Sequence, residues 1–170
     1  MVRVEKITKQ VNKLLSINNV LQPPVPIFNI AEKCGITISF EPYVDGVKTL
    51  SSMYYNSKNI IGINSALSNE DQRFCCAHQI GHKYLHTKEL YVDKIIKTNL
   101  KEGVMVINFK DVEANRFAID LLIPPIFLEI KLQKIKCTTK QELIATCARV
   151  FKVSCDLMSC QLYNLGVIVG

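Results

Sequence analysis

His78 and His82 stand four residues apart in the stretch "AHQIGH" (residues 77–82). On a helix, residues at that spacing share a face, so both imidazoles can aim at one ion. In the zinc-site motif H-E-x-x-H the two His bind metal and the Glu moves protons. Here the second position is Gln79, an amide that exchanges no proton near neutral pH. A catalytic zinc takes three protein ligands and keeps a fourth position open, so a third ligand must come from elsewhere. The downstream candidates are Asp93, Glu102, Asp111, Glu113 and Asp120, with His86 on the same helix. Glu113 is the choice, because its neighbours Val112, Ala114, Phe117, Ala118, Leu121 and Leu122 are mostly core-formers and a carboxylate in such company needs a partner. The plainer alternative pairs it with Arg116, three residues on, along a solvated helix face. His86 is rotated about 80° from His78 on an ideal helix, which suits a role behind the ligands or in packing. Cys75 and Cys76 read as small core thiols rather than ligands. Gly81, inside the helix, costs up to about 1 kcal/mol relative to Ala unless another element packs closely against that face.

The elements that position these residues can be read along the chain. Val4, Ile7, Val11, Leu14 and Leu15 recur at helical spacing, which predicts an opening amphipathic helix. A Pro-rich turn and a short helix closed by Gly35 follow. "ITISFEPYV" and "VKTLSSMYY" flank Asp45-Gly46, a hairpin signal, and "NIIGIN" comes next, so a small three-stranded antiparallel sheet is expected. Within it Ile60, Ile61 and Gly62 form the candidate edge that would receive an extended substrate, with an interior strand as the equal alternative. Ser68, followed by Glu70 and Asp71, starts the helix that carries both His. Residues 87–107 show no clean period and read as a loop or mobile excursion that could gate the site. A helix from near Asn108 or Asp111 must stop before Pro124-Pro125. Thr-capped and Ser154-capped helices then form a C-terminal helical hairpin. A DNA-reading helix-turn-helix has the same outline, but residues 154–164 hold no Lys or Arg and include Asp156. Packing is the better assignment, and no direct nucleic-acid binding is expected.

The 170 residues fit one α+β domain. Its parts are residues 1–67 (helices and sheet), 68–124 (the metal-site helices with loop 87–107) and 125–170 (C-terminal helices). Nearly half of the residues are hydrophobic, which argues against disorder. No apolar run approaches the roughly 18 residues that cross a bilayer, and the polar N-terminus does not read as a secretory signal. A cytoplasmic protein with no membrane partner is expected. Seven cysteines without C-x-x-C spacing suggest reduced, mostly buried thiols. The net charge of +6 is spread over several segments, which permits nucleic acid as a partner without demanding it.

Taken together, "QRFCCAHQIGHKYLH" and, some thirty residues on, "VEANRFAIDLLIP" resemble the ImmA/IrrE family of metallopeptidases. "VEKITKQVNKLL", "PPVPIFNIAEKCGITISFEP", "MYYNSKNIIGINSALS" and "FKVSCDLMSCQLYNLGVI" are similar to that family's framework, so nearly the whole chain is covered, residues 87–107 least well. The resemblance implies a zincin-like domain with His78, His82 and Glu113 as ligands of zinc, or of manganese. It also implies an endopeptidase that cuts helix-turn-helix repressors of phages, mobile elements or stress regulons. Gln79 departs from the pattern, because it stands where the family has its general-base Glu. The expectation is a metal-loaded but nearly inactive chain. A natural pseudo-protease acting as an anti-repressor by binding alone would explain this, and so would an isosteric change made to freeze an active enzyme. The intact remainder of the constellation favours the second, and Gln79→Glu is then expected to yield a protease.

Overall fold

The computed structural model describes residues 2–42, 50–94 and 108–168. The Asp45-Gly46 turn, Glu102 and most of the expected gating loop lie outside them. Among the described residues are helices α1 (Val4–Ile17), α2 (Ile27–Lys33), α3 (Asn69–Leu85), α4 (Phe109–Leu122), α5 (Pro125–Leu132), α6 (Lys140–Phe151) and α7 (Cys155–Asn164). Four strands accompany them: β1 (Thr37–Glu41), β2 (Leu50–Tyr55), β3 (Ile60–Asn64) and β4 (Leu90–Lys94). None of the described helices is long and apolar enough to cross a membrane.

The sheet corrects the expectation of three antiparallel strands. Its order is β1-β3-β2-β4, with β1 parallel to β3 and the other pairs antiparallel. The expected pairing of β1 with β2 is absent because β3 lies between them. Composition explains the placement. Ile60, Ile61 and Ile63 give β3 the apolar run that suits a strand with neighbours on both sides, whereas β1 is largely exposed and sits at an edge. The candidate substrate edge at Ile60, Ile61 and Gly62 is therefore an interior strand, and its backbone already pairs with β1 and β2. β4 arises inside the segment read as a loop. Its outward residues Leu90 and Val92 are apolar and exposed, while Tyr91 and Asp93 point toward the helices, so polar and apolar residues fall on both faces and the usual alternation is hidden.

The core joins α1, α2, the sheet and α3 to α7. It includes Ile7, Val11 and Leu14 of α1, Tyr54, Ile61 and Ile63 of the sheet, Cys76 and Ile80 of α3, Phe117 and Leu121 of α4, and Phe151, Met158 and Leu162 of the last two helices. Ser68 caps α3 by accepting from the Asp71 amide, and Asn108 caps α4 by accepting from that of Lys110. The C-terminal pair forms as expected. Lys152 takes a left-handed conformation at the end of α6 and Ser154 caps α7. α7 turns inward, with Met158 and Leu162 fully buried, and the Gln161 amide donates to Asp120 Oδ1 and the Ile123 carbonyl, both at 3.1 Å. All seven cysteines are free, but only Cys75, Cys76 and Cys147 are buried, fewer than expected.

Candidate metal centre

α3 packs against β2 and β3, reaches β4 through its side chains and crosses α4 closely. At the crossing Gly81 lets the two helices approach closely, because a Cβ there would meet Phe117 Cδ1 at 3.1 Å, Ala114 Cα at 3.2 Å and Ala114 O at 3.3 Å. This is the close approach that the mid-helix glycine anticipates. It brings the first turns of α4 over the histidine face of α3.

Both motif histidines are buried, His82 completely. Their Nε2 atoms face each other at 2.9 Å. His78 Nε2 also lies 3.1 Å from Asp93 Oδ2 of β4, and His82 Nε2 lies 3.6 Å from Asp111 Oδ1 of α4. One ligand atom from each of His78, His82, Asp93 and Asp111 falls within 4.8 Å of all the others. Two imidazole nitrogens and two carboxylate oxygens suit zinc or manganese. Burial first, then the neighbouring His78, lower the His82 pKa to about 3, so its imidazole is in the neutral, metal-binding form. The donor set therefore fits a divalent ion. A cleft of about 450 Å³ opens onto it, lined by Ser52, Phe74, His78, Asp93, Asp111 and Asn115 among others. Cys75 also lines the cleft, and burial pushes its thiol up to about 11.

Glu113 is buried, as expected, but the structure places it behind the histidines rather than among the clustered ligand atoms. Arg3 holds it, with its backbone amide and Nε on Oε1 at 2.9 Å each and Nη2 on Oε2 at 2.5 Å. His86 Nε2 lies 3.1 Å from the same Oε2, and His86 Nδ1 lies 3.1 Å from His82 Nδ1. Arg3, Glu113, His86 and His82 thus form a chain ending at the imidazole whose Nε2 faces the cluster. Such a chain fixes tautomer and ring orientation. Tyr91 of β4 stacks on the His82 ring with centroids 4.0 Å apart. His86, for which a role behind the ligands or in packing is expected, lies between Glu113 and His82. Arg116, the alternative partner of Glu113, instead bonds Asp120 at 2.8 Å.

Hydrogen bonds from Arg3 hold the Glu113 carboxyl well below the usual carboxylate range. A depressed carboxylate adds stability that is complete above its unfolded-state value, 4.5, and is lost as pH falls below that value. Glu113→Gln in the metal-free protein is therefore expected to lower the urea midpoint at pH 7, with the deficit shrinking from pH 4.5 downward. A deficit independent of pH would contradict this.

Gln79 is fully buried. Its amide nitrogen donates to Asp93 Oδ2 at 2.6 Å and to Ser52 Oγ at 3.0 Å, while Oε1 has no partner. Asp93 and Asp111 stand among the five carboxylates that the sequence offers, but position on a strand and on a first helical turn is what selects them.

An α+β domain with a buried His pair on one helix, backed by a carboxylate relay and opening beside a sheet edge, is of a metallopeptidase-like class. The sequence matches the IrrE N-terminal-like domain of the peptidase M78 family over residues 31–162, and the chain belongs to that family. None of the curated proteins matches it. Among solved structures, a Mycobacterium tuberculosis transcriptional regulator is similar at 16% identity and a TM-score of 0.61. That match covers 92% of this chain and 55% of the other, so the chain spans about half of that protein's length. At this identity the likeness shows the fold.

Proposed function

We propose that the chain is a metal-binding member of the M78 family that engages a helix-turn-helix repressor, with peptide-bond cleavage suppressed at position 79. The observation that carries this reading is the Gln79 side chain, buried on the helix of the two histidines with its amide nitrogen committed to Asp93 and Ser52. His78 and His82 would hold zinc, with manganese as the alternative, and a bound ion of that kind supplies Lewis-acid polarisation of a peptide carbonyl. Hydrolysis also needs a group that takes a proton from the attacking water and returns it to the leaving amine. Gln79 does neither, and a lost general base lowers turnover by roughly a hundredfold or more.

β4 is the better candidate for the edge that receives a peptide. One side pairs with β2 and it ends the strand order among the described residues, so an extended segment can add to it beside the cleft. The similar structure being a transcriptional regulator fits a regulatory setting, as does family membership. Binding alone would then relieve repression.

The test is a reporter held off by a helix-turn-helix repressor from the same genome, co-expressed with the chain. The expected result is relief of repression with the repressor intact on a blot, and loss of relief when β4 is disrupted by Val92→Pro. Efficient cleavage of the repressor would overturn the reading.

A further inference from the structure

Gln79 and Asp93 make sense as a pair. In H-E-x-x-H the carboxylate sits on the helix between the two His. Here the helix presents an amide, and a carboxylate reaches in from β4 to meet it at 2.6 Å. A glutamate carboxylate at 79 would have no N–H to donate to Asp93 or Ser52. The same Asp93 oxygen accepts from Gln79, receives Ser52 Oγ at 3.3 Å and faces His78 Nε2 at 3.1 Å. Gln79 spends its amide nitrogen on Asp93 and on Ser52, the residue that pairs with Asp93 across the strands. An ordinary surface aspartate would have no reason to turn its carboxylate onto a buried imidazole.

We propose that Asp93 is a metal ligand of this chain and that Gln79 is its positioning residue, so that the ion ties edge strand β4 to helix α3. The inference rests on the metal-binding part of the reading above and not on repressor binding. Gln79 is then a working part of the site, and Gln79→Glu alone does not restore a protease, because a carboxylate there cannot donate to Asp93.

The test uses the full chain, stripped of metal and titrated with zinc against a chromophoric chelator. Asp93→Asn is expected to weaken zinc binding by at least about a hundredfold. Gln79→Met, which keeps the length and removes the donors, is expected to weaken it by about tenfold to a hundredfold, the range for lost partners of a ligand. The double variant should be no weaker than Asp93→Asn, because Gln79 acts through Asp93. Asp93→Cys loaded with cobalt gives a second readout that does not depend on affinity, a thiolate-to-cobalt charge-transfer band that the parent chain lacks. Wild-type affinity in Asp93→Asn, or a folded Asp93→Cys that binds cobalt without the band, would overturn the inference. If His78→Ala still abolished binding, the His-pair site would stand. Unchanged binding in His78→Ala as well would remove both.

Discussion

Gly81→Leu is expected to abolish cooperative folding. The helix α3 backbone at Gly81 lies against α4 so closely that even a methyl group would sit 3.2 Å from Ala114 Cα and 3.3 Å from its carbonyl oxygen. Backbone atoms in the middle of a buried helix have nowhere to move, so a longer side chain must push α4 away from α3. The histidine face and the first two turns of α4, which carry Asp111 and Glu113, would separate with it. Gly81→Ala is the graded version. It gains about 1 kcal/mol of helix propensity but overpacks a dense crossing, which costs typically about 1–3 kcal/mol, so a net loss of stability is expected. Urea unfolding monitored by circular dichroism reads both. A wild-type midpoint in Gly81→Leu would mean that the α3–α4 crossing is looser than the structure shows. The contrast is Gly62, where an added Cβ meets the flexible Met53 side chain instead of backbone.

His82→Ala is expected to remove metal binding altogether, from about one ion per chain to a background level. His82 is the junction of the whole site. Its Nε2 faces His78, its Nδ1 faces His86, and its ring stacks on Tyr91. Removing it deletes a ligand and disconnects the Arg3–Glu113–His86 chain from the cluster. His86→Ala leaves both motif histidines in place, and its expected effect is the smaller tenfold to hundredfold loss, of order, for a partner one step behind the ligand. Elemental analysis of the two variants side by side distinguishes junction from backing. Equal metal content in His82→Ala and the parent would mean that the ion, if any, sits elsewhere.

Much of this architecture is legible in the residues. The amphipathic repeat from Ile7 to Leu15, the Ser68 and Ser154 caps and the Gly35 terminus are local signals, and local signals survive into the fold. The His78–His82 face is legible for the same reason, since one helix decides it. The strand order is not local. Nothing in "NIIGIN" says that β1 lies on one side of it and β2 on the other, and the Asp45-Gly46 signal suggests a direct β1–β2 hairpin. β4 is not legible in the sequence because one of its two inward residues, Asp93 beside Tyr91, is a carboxylate. Glu113 illustrates a subtler limit. Its buried, core-like surroundings correctly demand a partner for the carboxylate, but the partner is the guanidinium of Arg3, 110 residues away. The functional weight of Gln79 likewise depends on Asp93, fourteen residues on, and sequence alone pairs neither.

The most direct measurement is the zinc and manganese content of the parent chain, equilibrated with each metal, freed of excess, and analysed per mole of protein. The account predicts close to one tightly held ion per chain. A chain that is folded by circular dichroism and holds no ion of either kind would contradict it.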